Sequence, residues 1–406
     1  SPHAALCRFA AAIPRDLSGR RKGTWACASA RGMTGRFPAH IAIVGCGLTG
    51  TTALFQLVRR YPIQSITLLE RDGRFGPGYP YQLDESREYL INNTNDTMCL
   101  EPTNRRAFFE WLQGHPAYST HLDGKGHMPR AVYGEFLSDA LATATGLAKD
   151  KGVDVQLVSQ DCLDIEELPD GTAVVHWQGG QVTVDRVILA TGRCPDVDVF
   201  ELGGASDQYF STHMPGERLA ALPIDAEVHV LGASLSAYDV INLLFSESTG
   251  CRFPDDGPNR FRFEPGHNQR SVVLCSRSGR LKKCQSLFPA AQRREHFTAA
   301  AIAAMQERSV SLEQVFDLML ADARLNGADI DTGALFSPYA DVNDATALNT
   351  RAAGILATDI DAASAQDPLS NYVVDFLDQA QFDTWDLFAT HKLTEAAEQR
   401  YRNEVE

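Results

Sequence analysis

The 406 residues hold 37 Lys and Arg against 52 Asp and Glu, a formal net charge of −15 at pH 7, and 44% of them are hydrophobic. That length suggests two or three domains at roughly 100–200 residues each, and the acidic balance argues against a general nucleic-acid binder or a rider on an anionic membrane. Nine cysteines, none spaced CxxC or CxxxxC, argue against a disulfide framework or a cysteine zinc site and fit reduced thiols in the cytoplasm, and no apolar run reaches the roughly 18 residues of a membrane span.

Residues 1–39 set Arg8, Arg15, Arg20, Arg21, Lys22, Arg31 and Arg36 against one acid, Asp16. They read as a basic, disordered leader, with organelle targeting left open. HIAIV at 40–44 predicts a buried strand, GCGLTG a tight turn, and TTALFQLVRRY a helix that ends before Pro62. SITLLE at 65–70 predicts a second strand ending in an acid, which completes a βαβ unit. Residues 71–100, with Gly73, Gly76, Pro77, Gly78, Pro80 and then NNTNDT, predict a long irregular excursion of the kind that usually has a job. Helices are expected from Thr103 (TNRRAFFEWLQ) and over 131–147, with short strands and hairpins between 153 and 192.

A second strand, turn and helix begins at EVHVLGASLSAYDVINLLF, residues 227–245. Residues 246–269 are rich in Gly, Pro and Asp and read as a loop insertion, and RSVVLCSRSG at 270–279 holds the strand that completes this unit. After Phe288, AAQRREHFTAAAIAAMQE, SLEQVFDLMLADA, DPLSNYVVDFLDQA and KLTEAAEQRYRNEV all favour helix, and residues 301–406 carry most of the acidic excess.

The first glycine turn has a specific chemistry. Gly45 permits the tight turn, Gly47 lets backbone approach a pyrophosphate, and Gly50 lets helix and strand pack closely. Leu48 and Thr49 open the helix, whose free N–H groups favour an anion. Glu70, 20 residues beyond Gly50, is placed to accept a ribose 2′-OH, with Arg71 next to it. The bland alternative is a glycine turn in an unliganded α/β domain, with Cys46 a small residue tolerated there. The second turn, GASLSA, keeps Gly232, puts Ser234 at the middle position and Ala237 at the last, and includes Ser236. Asp239 suits either a nucleotide motif or a solvated helix face. Arg277, with Arg280, Lys282 and Lys283 near by, suits a 2′-phosphate or a charged loop face, and favours NADPH over NADH.

Four further segments accompany these turns: FGPGYPY at 75–81, YLINNTNDTM at 89–98, MPRAVYGEFL at 128–137 and ILATG at 188–192. Together they resemble the two-dinucleotide-binding flavoprotein superfamily, nearest its bacterial FAD/NAD(P)-binding branch and its flavin-dependent monooxygenases and N-hydroxylases. The resemblance covers about residues 37–290. It implies an α/β fold with two Rossmann-like dinucleotide-binding units of three-layer architecture and a helical C-terminal region. The expected parts are a FAD-binding domain over 40–200, an NAD(P)-binding domain over 201–290 and an acidic helical region over 291–406 acting as a substrate lid. It implies that Gly45, Gly47, Gly50 and Glu70 hold the ADP half of FAD and that Thr191 and Gly192 pass beside the adenine. Asn92 and Asn93 would lie by the ribityl chain or isoalloxazine, and Arg130 and Tyr133 near the flavin, with Asn93, Arg130 and Tyr133 the catalytic candidates. Taken as residues alone, Asn92 and Asn93 are equally turn residues and Arg130 equally a surface or cap partner. His121, His127, His296 and His391 read as satisfied polar groups before bases, and Trp111 and Trp385 as core aromatics.

The expected activity is that of an NADPH-dependent FAD monooxygenase. It would hydroxylate a small nitrogen-containing substrate, an amine or a heteroaromatic, with molecular oxygen through a C4a-hydroperoxyflavin. Two alternatives stay open: an NAD(P)H-dependent flavin reductase that passes electrons to a quinone or a protein, and a non-catalytic dinucleotide-binding scaffold or sensor. A disulfide reductase is disfavoured by the lack of a redox cysteine pair. No metal, nucleic acid or membrane partner is expected. The late strand and G-D segment usual in the superfamily are not recognisable before Glu406.

Overall fold

A computed structural model describes residues 39–100, 104–120, 122–193, 198, 208–257, 261–276, 281–284, 293–306, 310–331 and 338–365. The basic leader and the helices expected after residue 365 lie outside them. The chain divides into two compact units. One takes in the described residues up to Pro223 together with Tyr238–Leu244, the other Ile224–Ala237 and the described residues from Phe245 on.

The first unit is built on strands β1 (His40–Val44) and β2 (Ser65–Leu69), with helix α1 (Leu48–Arg60) between them. Both strands are almost continuously apolar, so they are buried on both faces and take central places in a parallel sheet. After them come α2 (Ala107–Gly114), α3 (Arg130–Asp150), β3 (Asp154–Val158), β4 (Cys162–Glu167), β5 (Ala173–Trp177), β6 (Gly180–Val184), β7 (Arg186–Leu189) and the single turn α4 (Glu217–Ala220). The sheet order is β3-β2-β1-β7, all parallel.

The two-residue period of β1 sorts its side chains between two cores. Ile41 and Ile43, with Ile66 and Leu68, meet Leu54 and Val58 of α1 and Leu141, Ala144 and Ala148 of α3. Ala42 and Val44, with Leu69 and Val158, meet Val175 and Val184. Those two belong to a separate antiparallel sheet of order β4-β5-β6. Helices, parallel sheet and antiparallel sheet thus form three layers. The strand signals over 153–192 did not separate these sheets, because a parallel and an antiparallel strand of this length have the same local pattern. On the far side of α3, Phe108 and Leu112 of α2 pack on Tyr133, Phe136 and Leu137.

The second unit pairs β8 (Glu227–Leu231) with β9 (Ser271–Cys275) in parallel, Glu227 beside Ser271 and Leu231 beside Cys275. Helix α5 (Leu235–Leu244) follows β8, and the boundary between units falls within it, after Ala237. The insertion at 246–269 closes on itself through isolated antiparallel bridges of Arg252 with Glu264 and Asp255 with Phe261. Helices α6 (Ala299–Gln306), α7 (Leu312–Leu325) and α8 (Ala345–Ser364) follow. A reciprocal cap of Ser311 and Gln314 starts α7. Helix α8 lies in the region expected to be helical, although its own segment carried no separate helix signal. The architecture is the expected α/β class, with parallel Rossmann-like sheets and C-terminal helices. Among the described residues no helix is long and apolar enough to cross a membrane.

Candidate functional site

The first glycine loop is held by its own neighbours before any ligand is considered. Gly45 has φ +96°, and its N–H donates to Leu69 O at 2.8 Å. A Cβ on Gly45 would lie 2.2 Å from Ala190 O, so the ILATG segment, with Thr191 and Gly192, is laid directly on the turn. A Cβ on Gly50 would lie 2.1 Å from Gly45 O. Gly47 faces Gly78 of the FGPGYPY segment, where a Cβ on Gly78 would come 2.8 Å from Gly47 Cα. Gly76 N–H donates to Cys46 O at 2.7 Å, and Glu70 Oε2 accepts the Cys46 N–H at 2.7 Å.

Helix α1 starts from Gly47 with no side-chain cap and no acid in its first turn. The N–H groups of Leu48, Thr49 and Gly50 therefore retain donor capacity at the positive end of the helix dipole, where a phosphate anion is favoured. Leu48 is half-buried, Thr49 and Arg71 are exposed, and Glu70 is half-buried at the end of β2. A glycine cradle, uncapped helix donors and a carboxylate at the ribose position fit an ADP moiety. Cys46 is fully enclosed in this loop, and burial pushes its thiol up to about 11.

A second cluster forms where the irregular excursion meets the start of α3. Arg130 N–H donates to Tyr89 O at 2.7 Å, its Nε to Leu90 O at 2.9 Å and its Nη2 to Asn92 Oδ1 at 3.2 Å. The same Nη2 lies 2.9 Å from Asp239 Oδ2, and the two side chains are only 10% and 8% exposed. Neither the surface reading of Arg130 nor the solvated reading of Asp239 describes this buried ion pair. The available signal for Asp239 was its i+4 neighbour Leu243, which is buried on the same helix face. His213 Nε2 comes 3.3 Å from Asp239 Oδ2, and Tyr89 packs edge-on against the His213 ring while its hydroxyl donates to His213 O at 2.7 Å. His213 lies in an irregular segment and carried no sequence signal.

Asn92 and Asn93 are exposed beside this pair. The buried asparagine is Asn95, whose Oδ1 accepts from Met128 N–H and whose Nδ2 donates to Asp123 O. Tyr133 is fully buried among Tyr81, Phe108 and Phe136, and its hydroxyl donates to Cys99 O at 3.1 Å. Burial pushes its hydroxyl well above the usual phenol range, so it is a neutral donor to the backbone. Trp111 stacks within the same aromatic core and donates to Asp139. His127 Nδ1 is engaged with Ile91 O at 3.0 Å. His121, His391 and Trp385 lie outside the described residues.

In the second loop Gly232 has φ +125°, and its N–H donates to Cys275 O at 2.7 Å. Ser234 and Ser236 are exposed, and Ala237 is buried with its N–H on Ser234 O at 2.8 Å. Arg277 and Arg280 lie outside the described residues. Lys283 is paired with Asp359 at 2.7 Å, so it is not reserved for a phosphate. Among the described residues no His, Cys, Asp and Glu cluster is set to hold a metal ion.

A family model described as FAD-NAD(P)-binding matches residues 42–194. The chain is 27% identical over 266 residues to the uncharacterised protein YdhS of Escherichia coli K12, covering 61% of this chain and 47% of that protein. It is 25% identical over 269 residues to nitrosuccinic acid synthase npaA of Aspergillus oryzae, covering 61% and 41%. The matched stretch thus spans less than half of either relative. Among solved structures, the bacillithiol disulfide reductase Bdr of Staphylococcus aureus is similar with a TM-score of 0.34 and 13% identity, over 60% of this chain and 58% of that one. Other similar structures are a flavoprotein disulfide reductase and thioredoxin reductases. The first unit therefore carries the segment that matches the FAD-NAD(P)-binding model. The monooxygenase expectation is corrected: disulfide and thioredoxin reductases are among the similar solved structures, and the reductase alternative is carried forward.

Proposed function

We propose that the protein is an NAD(P)H-dependent FAD reductase that passes electrons to an external acceptor, a quinone or a protein. The observation that carries this reading is the duplicated strand–glycine–helix loop, at Gly45–Gly50 and again at Gly232–Ala237, of which the first lies inside the FAD-NAD(P)-binding match. When bound, FAD supplies the two-electron carrier between a hydride donor and the acceptor.

The chain's own part is to bind and orient. Gly45, Gly47, Leu48, Thr49 and Gly50 present backbone to the FAD pyrophosphate, Glu70 accepts from the ribose with Arg71 alongside, and Thr191 and Gly192 border the adenine. Asn92, Asn93 and Arg130 face the flavin, with Tyr133 supporting them from the core. Asp239 compensates the Arg130 charge and fixes its guanidinium in place. In the second unit Gly232, Ser234, Ser236 and Ala237 hold the nicotinamide dinucleotide, with Arg277 on a 2′-phosphate, and NADPH is preferred to NADH. No two cysteines are spaced CxxC or CxxxxC, which favours an external acceptor over an internal disulfide.

Purified protein loaded with FAD is expected to be yellow, to bleach anaerobically with NADPH and to regain colour when a soluble quinone is added. Yellow protein that NADPH does not bleach would sink this reading and leave the scaffold alternative.

A further inference from the structure

Helix α5 starts at the second glycine loop and is anchored in the first unit. Its opening residues are free of packing: Ser234, Leu235 and Ser236 are exposed. From Ala237 on it is held, with Ala237, Asp239, Val240, Leu243 and Leu244 all buried. The boundary between the compact units falls between these two stretches. Leu235 opens the helix and Asp239 follows one turn later, so only about 6 Å of helix axis separates the loop end from the buried carboxylate.

Asp239 is gripped from two directions by groups of the first unit. Arg130 Nη2 lies 3.1 Å from its Oδ1 and 2.9 Å from its Oδ2, and His213 Nε2 lies 3.3 Å from Oδ2. His213 is fixed in turn by Tyr89, which is fully buried. The same Arg130 Nη2 donates to Asn92 Oδ1 at 3.2 Å, while Arg130 Nε holds Leu90 O. One nitrogen therefore serves both the helix that starts at the second loop and the segment expected to face the flavin. Hydrogen bonds weaken steeply with distance and angle, so moving Asp239 by less than about 1 Å changes how well that nitrogen serves Asn92.

We propose that Asp239 is a positioning residue that couples the two loops. A dinucleotide seated at the start of α5 orders the helix, Asp239 then fixes Arg130 and Asn92, and FAD is held more tightly. This rests on the reading that the second loop holds a nicotinamide dinucleotide and that Asn92 and Arg130 face the flavin. Linkage makes the coupling reciprocal, so FAD tightens the dinucleotide by the same factor. Order already produced by one ligand need not be produced again by the other, which gives the coupling its positive sign.

The test is titration of the full chain, freed of flavin, with FAD by flavin fluorescence, with and without saturating NADP⁺. The reverse titration with NADP⁺ is followed by calorimetry, with and without FAD. Both cofactors are oxidised, so no electron moves. In wild type each ligand is expected to tighten the other by roughly 10-fold, within the usual span of coupling between sites. Asp239→Asn is expected to bring both ratios to about one, whatever it does to either affinity alone. The double variant Arg130→Met with Asp239→Leu leaves no bare charge and is expected to do the same, which keeps the test decisive if Asp239→Asn folds poorly. Asp322→Asn weakens the chain away from α5 and is expected to keep both ratios, so a general loss of stability does not imitate the result. Ratios of one in wild type with both ligands bound, ratios kept in both Asp239 variants, or ratios lost equally in Asp322→Asn would overturn the proposal and leave the reductase reading standing. NADP⁺ that fails to bind the FAD-loaded chain at millimolar concentration removes the dinucleotide reading, and the coupling with it.

Discussion

Between the first two glycines of the first loop, the Cys46 thiol is sealed from solvent, with Thr51 Oγ1 at 4.0 Å. Burial is the main reason that its pKa lies at about 11, against 9.0 for an unperturbed thiol. An acid whose folded pKa is raised favours the fold while it stays protonated. That contribution, about 3 kcal/mol, is whole below roughly pH 9 and is lost as pH rises through 11. Urea unfolding of wild type and Cys46→Ala between pH 8 and 11 should show the stability gap narrowing by that amount, and a gap that stays constant would contradict it. Gly45 admits no side chain, because its φ is +96° and Ala190 O stands where a Cβ would go. Gly45→Ala should cost at least about 1–3 kcal/mol in denaturant unfolding and should abolish FAD retention on gel filtration. The last glycine of the motif tolerates alanine in many such loops, and Ala237 fills that place in the second unit. In the first unit the approach of Gly45 O to Gly50 forbids it.

A buried charge pair joins elements of the first unit, between Arg130 at the start of α3 and Asp239 in α5. Removing either partner leaves the other charge without compensation, and Arg130→Met or Asp239→Leu should each destabilise by about 3–5 kcal/mol. The double variant should be less destabilised than the sum of the two, and a strictly additive double-mutant cycle would deny the coupling. In the second unit the corresponding clamp is Asp322 of α7. Its carboxylate accepts the N–H groups of Glu295, His296 and Phe297 at 2.8–2.9 Å, tying down the stretch before α6. Burial opposes its ionisation, yet the three backbone donors outweigh burial and hold it below the usual carboxylate range. The clamp therefore stabilises above the ordinary carboxylate pKa and weakens as pH falls through the lower folded value. Asp322→Asn should lose about 1–3 kcal/mol at pH 7 and should narrow its gap to wild type in acid, read from thermal melts at pH 7 and pH 3.

Across the whole molecule each loop should report its own ligand. Hydrogen exchange with FAD should slow amides at 45–51 and 190–193, and NADP⁺ should slow those at 232–237. Protection confined to one loop by both ligands would refute the division of labour. The glycine turns and the β1–α1–β2 unit were legible in the sequence because turn, strand and helix signals there are local and agree with one another. The excursion at 71–100 was legible as irregular, but not its contacts, because Asn95, His213 and Asp239 gain their meaning from partners 26 to 109 residues away. Tyr133 stood out three residues after Arg130 in the same segment, but its ring packs against Tyr81 and Phe108, partners distant in sequence that no local pattern reveals.

The pairing of Gly47 with Gly78, and of Gly76 with Ser138, has a consequence for the order of folding. The wall of the cradle comes from residues 31 and 91 positions downstream of Gly47. Closing such long loops is entropically slow. At roughly 5–20 residues synthesised per second, the turn leaves the ribosome several seconds before α3 does. The nascent chain thus carries an open turn, and its mature grip on a nucleotide is acquired only when the later wall swings onto it.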